Sequence, residues 1–280
     1  MPGQGSLGWA LDLFAHWQPL YVLAWLIACG IGALRDRRWL LCLPLLALPW
    51  FTASPKAPRS EGPPDLVMAV ANVNIRQRDP AALLAWLQHQ PADIVVLTEL
   101  SPDYADPLAR RSYGGFAHRA LHPLVSPPGL GILSDRPLHD VRLVEDRLGA
   151  LRMEAGLDID GHRVRFVAAH PKPPMATRKY RARDKLMREL AVSATNEPMI
   201  VAGDLNATPW SSALLGADMR ALRRTTGGAP TYPSEGAGVF GIGIDHVLVS
   251  SGFAQTGAER GPDIGSDHLP VRVGLRWQGE

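Results

Sequence analysis

Residues 199–206 read Met-Ile-Val-Ala-Gly-Asp-Leu-Asn, and here an apolar run passes directly into two polar side chains. Four consecutive apolar residues predict a short buried strand, and Gly203 allows the backbone to turn sharply where that strand ends. Asp204 and Asn206 are separated by one residue, so an extended backbone directs both side chains to the same side. This stretch predicts a carboxylate beside an amide at the end of a strand, although Gly-Asp-x-Asn alone is equally typical of an Asx turn.

Three further strings place acidic or imidazole side chains next to predicted strands. They are Thr98-Glu99-Leu100, Ile244-Asp245-His246 and Gly265-Ser266-Asp267-His268-Leu269-Pro270. Each string alone is typical of a solvated strand exit or a plain turn. Their joint occurrence at strand ends instead indicates one site, because carboxylates, an amide and imidazoles are what a hard cation and a phosphate ester require.

Strands and helices alternate along the rest of the chain, which predicts a mixed α/β class. Period-two alternation over residues 151–159 indicates antiparallel pairing within the sheets. Asp79-Pro80 predicts a helix start, and Pro91 predicts its end. We expect another amphipathic helix over residues 178–190 and a short one starting at Thr208-Pro209. The remaining predicted strands cover residues 66–71, 94–97, 129–134, 164–169, 247–249 and 271–275.

The composition supports one sizeable core with an appendage, since 46% of the 280 residues are hydrophobic and 20% are charged. The formal net charge of +2 provides no strong field to attract nucleic acid. The two cysteines, Cys29 and Cys42, both lie in the N-terminal part. A disulfide framework and a cysteine-based zinc site are therefore excluded from the remainder.

The first 53 residues predict a membrane-anchoring helical hairpin. No formally charged residue occurs over residues 13–34 or 39–55, and three arginines lie in the turn between these runs. The first run is long enough to span a bilayer, and the second is marginal. A buried or surface-lying helical pair and a secretory signal peptide remain as alternatives. Residues 54–65 are rich in proline and predict an extended linker before a catalytic domain over residues 66–280.

The basic turn of this hairpin indicates its orientation. Positively charged loops favour the cytoplasmic side, so both ends of the hairpin and everything after Lys56 are expected outside the cytoplasm. In a bacterium this places the protein in the inner (cell) membrane, with its catalytic domain facing the periplasm or the outside.

Residues 66–275 resemble the endonuclease/exonuclease/phosphatase superfamily, which includes deoxyribonucleases, abasic-site endonucleases, sphingomyelinases and inositol polyphosphate 5-phosphatases. Gly203-Asp204-Leu205-Asn206 and Ser266-Asp267-His268-Leu269-Pro270 are the most specific elements of the resemblance. It implies a four-layered sandwich of two mixed β-sheets flanked by helices, with the site built from loops at one edge. It also implies a Mg²⁺-dependent phosphoesterase in which Mn²⁺ can replace Mg²⁺.

The resemblance also implies roles for individual residues. Asn72, Asn74, Glu99 and Asp267 correspond to metal-side residues, although many members carry aspartate at the position of Asn74. Asp204 and Asn206 correspond to the pair that orients the attacking water and the phosphate. His170 corresponds to the histidine that assists the leaving group, Asp245 to the carboxylate that pairs with the final histidine, and His268 to that phosphate-contacting histidine.

The substrate is less defined than the chemistry. A basic stripe with Arg178 and Arg181 at its start could contact phosphates, but a solvated helix face explains it better. The phosphodiester substrate is a nucleic acid or a phospholipid headgroup, and the predicted hairpin adds membrane lipid as a partner. A sphingomyelinase-like or inositol-phosphate activity, a catalytically silent binding module and a merely structural soluble part are the alternatives.

Overall fold

The computed structural model describes residues 5–110, 115–238 and 240–279. The helices are α1 (Ser6–Ala15), α2 (Gln18–Ala33), α3 (Leu48–Thr52), α4 (Ala81–His89), α5 (Pro102–Ala109), α6 (Thr177–Ser193) and α7 (Ser212–Leu215). The strands are β1 (Leu66–Asn72), β2 (Ile94–Thr98), β3 (His118–His122), β4 (Leu130–Ser134), β5 (His139–Glu145), β6 (Leu151–Ile159), β7 (His162–Ala169), β8 (Met199–Asp204), β9 (Arg223–Arg224), β10 (Asp245–Val249), β11 (Phe253–Arg260) and β12 (Val271–Trp277). The segments Arg37–Ala47, Ala217–Ala221 and Glu235–Gly238 form 3-10 helices.

The strands form two six-stranded mixed sheets. The first has the order β11-β12-β1-β2-β4-β3, and the second has the order β5-β6-β7-β8-β10-β9. Only β1–β2 and β7–β8 pair in parallel among the named strands, and a helix crosses over between the members of each pair. These crossovers place α4 on the outer face of the first sheet and α6 on the outer face of the second.

Three apolar clusters show the layering. The central cluster joins the inner faces of both sheets, including Met68 and Val96 from the first and Phe166 and Ile200 from the second. A second cluster fills the space between the first sheet, α4 and α5, and a third fills the space between the second sheet, α6 and α7. The predicted architecture of two mixed sheets flanked by helices is therefore confirmed.

The topology brings the polar strand ends to one edge of the sandwich. β1 and β2 are parallel, so Asn72 and the residue after Thr98 leave the first sheet together. β12 runs antiparallel to β1, so the segment before Val271 approaches the same edge. In the second sheet Asp245 lies opposite Asp204 in register. Five segments far apart in sequence therefore meet where the two sheets end.

Most of the predicted elements occur within one or two residues of their expected bounds, with one clear error. The α4 helix starts at Ala81 with Pro80 as its N-cap, one residue later than expected, and the Asp79 carboxylate accepts the Ala81 backbone N–H at 2.9 Å. The helix expected to start at Thr208-Pro209 instead starts at Ser212, because the Ser211 hydroxyl accepts the backbone N–H of Ala213. Thr208-Pro209 belongs to a turn that precedes it.

The N-terminal part departs from the expected membrane-anchoring helical hairpin. Among the described residues no single helix has both the length and the apolar composition to cross a bilayer. α1 and α2 satisfy both criteria only when taken together, and they are bent by 63°. The expected first span breaks because Pro19 begins a new helix after Trp17. The second apolar run contains Pro44 and forms a 3-10 helix over Arg37–Ala47.

The segment predicted as a linker is extended and lies along the sheet edges. The backbone of Ala57 pairs with that of Arg224, and the backbone of Ser60 pairs with that of Gln255. The buried Arg224 guanidinium donates to the hydroxyl and the carbonyl of Ser54. These bonds join the N-terminal part to the β9 and β11 edges of the catalytic domain.

Candidate active site

The Asn72 side chain lies at the centre of the cluster. This buried residue ends β1, and its Nδ2 donates to Glu99 Oε1 and to Asp204 Oδ2, each at 3.1 Å. The same nitrogen lies 3.4 Å from His268 Nε2. One amide thus contacts groups from three other segments, which demonstrates that the strings singled out in the sequence converge.

Glu99 and Asn74 reach the site through unusual backbone conformations. Both have positive φ, 57° for Glu99 and 56° for Asn74, a region that non-glycine residues seldom adopt. Glu99 Oε2 accepts the Ile75 backbone N–H at 3.2 Å, and Asn74 Nδ2 donates to Asp267 Oδ1 at 2.8 Å. The turn after β1 thereby ties the Glu99 and Asp267 carboxylates to the same loop.

Asp204, Asn206 and His170 form the second-sheet side of the site. Asp204 is buried, its Oδ1 accepts the Asn206 backbone N–H at 2.9 Å, and its Oδ2 lies 3.5 Å from His170 Nε2. Asn206 has a φ of 49° and donates from Nδ2 to the Pro171 carbonyl at 2.9 Å. At Gly203 a Cβ would lie 2.0 Å from the Ala169 carbonyl oxygen, so only glycine allows β8 to approach the end of β7 this closely.

Asp245 and His268 form a buried pair beside Asp204, whose Oδ2 lies 3.8 Å from His268 Nε2. Asp245 Oδ2 lies 2.9 Å from His268 Nδ1, and both side chains are almost fully buried. The Tyr232 ring is tilted against the imidazole, with 4.8 Å between ring centroids. The pair therefore fixes the ring so that its Nε2 is directed to the cluster.

The charges of the cluster perturb its histidines and Asp204. Burial alone would lower the pKa of His268, but the Asp245 carboxylate and the more distant Asp204 raise that pKa to about 10. Burial likewise opposes the charged form of His170, and the hydrogen bond and charge of Asp204 raise its pKa above the usual range. Burial would raise the pKa of Asp204, yet His170 and His268 keep it low. The site therefore combines an ionised carboxylate with two imidazoles that favour their protonated form. The positive charge of these imidazoles suits an anionic ester.

The donor set fits a hard divalent cation. Glu99 and Asp267 are half-buried, and their carboxylate oxygens lie beside the Asn72 and Asn74 amides. Mg²⁺ prefers such oxygen ligands and retains several waters, which a partly open position allows. Asp204, Asp245 and His268 are a second grouping, with ligand atoms within 4.8 Å of one another. Asp245 and His268 already bind each other, and imidazole suits Mg²⁺ less well, so the Glu99 side fits better.

The two arginines predicted to bind substrate lie outside this cluster in sequence and fold. Arg178 and Arg181 are exposed on α6, as the preferred interpretation of a solvated helix face expects. Lys185, on the same stripe, lies 3.5 Å from Glu189. A role for Arg178 or Arg181 in substrate binding stays a prediction.

Two hydroxyl side chains that were not predicted from the sequence hold the backbone of the cluster in place. The Ser266 hydroxyl donates to the Asn72 carbonyl at 2.7 Å and accepts the His268 backbone N–H at 3.1 Å. The Thr231 hydroxyl accepts the Ile244 backbone N–H at 3.1 Å, beside Asp245. Ser266 belongs to the Ser266-Asp267-His268-Leu269-Pro270 motif, so the sequence could have indicated its role. Thr231 carried no signal in the sequence.

Fold and site together define a mixed α/β protein in which two packed sheets carry a cluster of carboxylates, amides and imidazoles at one edge. The chain belongs to the Endonuclease/Exonuclease/phosphatase family, whose model matches residues 69–268. The match includes every residue of the cluster and covers well over half of the chain. No curated protein matches the chain.

Solved structures with the same fold share little of its sequence. Humanized TDP2 from D. rerio has a TM-score of 0.61 at 15% identity, covering 75% of this chain and 98% of its own. An endonuclease/exonuclease/phosphatase from Beutenbergia cavernae also has a TM-score of 0.61, at 20% identity, covering 76% and 72%. The 3′ phosphatase NExo from Neisseria, bound to a product DNA hairpin, has a TM-score of 0.58 at 19% identity, covering 76% and 100%.

Family membership and the assembled cluster identify the chain as an enzyme, a metal-dependent phosphoesterase. A purely structural role for the part after residue 65 is excluded by the same two observations. Four carboxylates and two imidazoles lie together in this cluster, in contact with the Asn72 and Asn74 amides or with one another, and a binding module does not require such a concentration of ionisable groups.

Proposed function

We propose that this enzyme hydrolyses phosphodiester bonds with Mg²⁺ and that its N-terminal part attaches it to a membrane. The observation that supports the reaction best is the Asn72 amide, whose nitrogen lies within 3.4 Å of groups from Glu99, Asp204 and His268. Segments up to 196 residues apart supply this cluster. Such convergence of carboxylates and imidazoles is what metal-assisted hydrolysis of an anionic ester requires.

Glu99 and Asp267 would hold the cation, with the Asn72 and Asn74 amides orienting their carboxylates. A bound Mg²⁺, or Mn²⁺ with the same oxygen preference, supplies positive charge that polarises the phosphoryl oxygen and offsets the charge developing on it. Asn74 replaces a carboxylate found in many relatives. It lowers the negative charge of the site and leaves Asp267 as the acid on that side.

Different side chains accept and deliver the protons of the reaction. Asp204, ionised between two imidazoles, accepts a proton from the attacking water, and Asn206 orients the water and the phosphate. His268, held by Asp245, donates a hydrogen bond to a phosphoryl oxygen. His170, whose Nε2 lies 3.5 Å from Asp204 Oδ2, delivers a proton to the leaving oxygen.

Nucleic acid is the first candidate substrate. D. rerio TDP2 has been solved with a single strand DNA product, and Neisseria NExo with a product DNA hairpin. Both share the fold of this chain, and these ligands support a polynucleotide or its ends as the ester that the site accepts.

A phospholipid headgroup is the second candidate, and one specific observation favours it. Large apolar side chains of the N-terminal part are exposed, with Leu34, Leu41 and Phe51 at 88%, 79% and 84%. Exposed apolar area on this scale is typical of a membrane- or protein-binding surface. Arg35, Arg37 and Arg38 lie within it and suit anionic headgroups. We propose that residues 1–53 attach the enzyme to the bacterial inner membrane, with the catalytic domain toward the periplasm or the outside.

The test uses the full chain purified in detergent or nanodiscs. Single-stranded DNA, plasmid DNA, RNA, phospholipid vesicles and inositol phosphates are each incubated with Mg²⁺, Mn²⁺ or chelator, beside Glu99→Ala, His268→Ala and the exposed control Glu189→Gln. We expect chelator-sensitive turnover that falls by on the order of 10² to 10⁴ in the two site variants and is unchanged in the control. Turnover that survives chelator or both site substitutions would overturn the proposal. A reporter fused after Glu280 tests the orientation, and cytoplasmic signal would contradict it.

A further inference from the structure

Arg183 is a buried cation that the sequence did not single out. It lies on α6, and its guanidinium is inaccessible to solvent. Nη1 donates to the Asn206 carbonyl at 2.8 Å, while Nη2 donates to Asp12 at 2.7 Å and to Asp184 at 2.8 Å. The guanidinium therefore joins a residue of α1 to the backbone of the site loop.

The buried Asp12 carboxylate accepts several hydrogen bonds from the catalytic domain. Its Oδ1 accepts from the Ser211 hydroxyl at 3.0 Å, the Ser212 backbone N–H at 2.7 Å and the Ser212 hydroxyl at 3.0 Å. Its Oδ2 accepts from Arg183. A carboxylate that is buried on the catalytic domain with this many partners indicates specific docking of α1, because burying the charge without them would be costly.

A second contact from α1 leads to the same site residue. Trp9 Nε1 donates to the Pro174 carbonyl at 2.7 Å. Pro174 belongs to the loop after His170, and within this loop the Pro171 carbonyl accepts from Asn206 Nδ2. One route from α1 thus ends on the Asn206 carbonyl and the other on its side-chain amide.

Asn206 needs such support because its backbone conformation is uncommon. Its φ of 49° lies in the left-handed region, where asparagine is tolerated but not held by its own preference. Neighbouring groups must therefore over-determine the conformation. The Arg183 and Pro171 bonds, with the Asp204 bond to its N–H, fix the backbone carbonyl, the side-chain Nδ2 and the backbone N–H of the residue.

We propose that α1 is a working part of the catalytic site, in which Trp9, Asp12 and Arg183 act as positioning residues for Asn206. The N-terminal part then does more than attach the enzyme to a surface, because its docking sets the geometry of the loop that orients water and phosphate. This inference rests on the role proposed for Asn206. Misplacing an orienting group by about 1 Å can cost on the order of 10²-fold in rate.

Full-length Asp12→Asn and Trp9→Phe test the inference by kinetics. We expect kcat to fall about tenfold or more in each with KM changed less than threefold. In an Asn206→Ala background the same substitutions should have little further effect, because both change the rate by displacing the Asn206 side chain, which alanine lacks. The control matched to Asp12→Asn is Glu154→Gln, which disturbs another buried acid, bound by Arg142, Arg152 and Arg165. The control matched to Trp9→Phe is Trp25→Phe, which removes another indole hydrogen bond, to the Cys42 carbonyl. Unchanged kcat, or equal losses with and without Asn206, would overturn the inference.

Amide hydrogen exchange of residues 204–208 provides a readout that needs no substrate. We expect faster exchange in Asp12→Asn and Trp9→Phe but not in Trp25→Phe. Unchanged exchange in both α1 variants contradicts the inference even if the enzyme proves to act on an unexpected ester. Trp9→Phe is the milder change, so it serves if Asp12→Asn fails to fold. If the wild-type protein shows no chelator-sensitive turnover, only the proposed function is overturned. The hydrogen-exchange data then still decide whether α1 positions Asn206.

Discussion

Asp245 Oδ2 lies 2.9 Å from His268 Nδ1, and the two residues are contributed by different sheets. Asp245 begins β10, and His268 precedes β12. The bond therefore joins the two sheets at the edge that carries the site. It also fixes which imidazole nitrogen is directed at the cluster. Because Nδ1 is occupied, Nε2 is the nitrogen left to contact a phosphoryl oxygen.

Asp245→Asn should shift the pH dependence of activity downward at its alkaline limb. Asp245 is the main group that raises the pKa of His268 to about 10, so the imidazolium persists well above neutrality in the wild type. Without that charge the pKa falls toward the ordinary value of about 6.5, and the cation is lost as the pH rises through neutrality. We expect kcat at pH 8 to fall by on the order of 10²-fold, and less at pH 6. A pH profile that falls uniformly would show that the carboxylate only positions the ring.

Glu99→Gln should weaken activation by Mg²⁺ more than it weakens substrate binding. The substitution keeps the shape and the hydrogen bond with Asn72 but removes the negative charge that a hard cation prefers. We expect the Mg²⁺ concentration for half-maximal activity to rise about tenfold or more at saturating substrate. Glu189→Gln, on the exposed face of α6, is the matched control. An unchanged Mg²⁺ requirement would place the cation elsewhere, with Asp204, Asp245 and His268 the next grouping to test.

Local patterns predicted the mixed α/β class and the strand ends that carry the site, whereas the sandwich itself was implied by the family resemblance. Apolar runs ending in Glu99 or Asp204 mark strand ends, and parallel pairing brings such ends together. The roles assigned to these residues stay predictions until they are tested. Arg183 was missed because a lone arginine on a basic helix is indistinguishable from its solvated neighbours. Its burial depends on α1, which contacts it from 171 residues away.

The N-terminal part was the least predictable for a related reason. Apolar composition indicated a helical hairpin with one full and one marginal span, but it could not show that Asp12 is buried against Ser211 and Ser212. The edge strands β3, β5, β9 and β11 were also missed. β5 is mostly exposed and β9 has two residues, so neither carries an apolar pattern.

Gly203→Ala should destabilise the fold and disrupt the site together. Its φ of 148° and the 2.0 Å approach of a Cβ to the Ala169 carbonyl leave no room for a methyl group unless β7 and β8 separate. We expect a loss of at least about 2 kcal/mol in the free energy of unfolding, measured by urea denaturation. Gly257→Ala is the control, since a Cβ there meets nothing within 4 Å. Equal stability of the two variants would contradict the close approach of the strands.

Glu154 should contribute stability that is lost in acid. The buried carboxylate is bound by Arg142, Arg152 and Arg165. Burial alone would raise its pKa, but bonds from Arg152 and Arg142 lower it to about 2. Because the folded-state pKa lies below that of the unfolded chain, the contribution is complete above about pH 5 and disappears as the pH falls toward 2. Glu154→Gln should therefore cost up to about 3 kcal/mol at pH 7 and progressively less between pH 5 and pH 2, measured by urea unfolding across that range. Glu189→Gln, an exposed pair on α6, should cost little at any pH. A Glu154→Gln deficit that stays constant from pH 7 to pH 2 would show that lost packing, and not the ionised carboxylate, accounts for the effect.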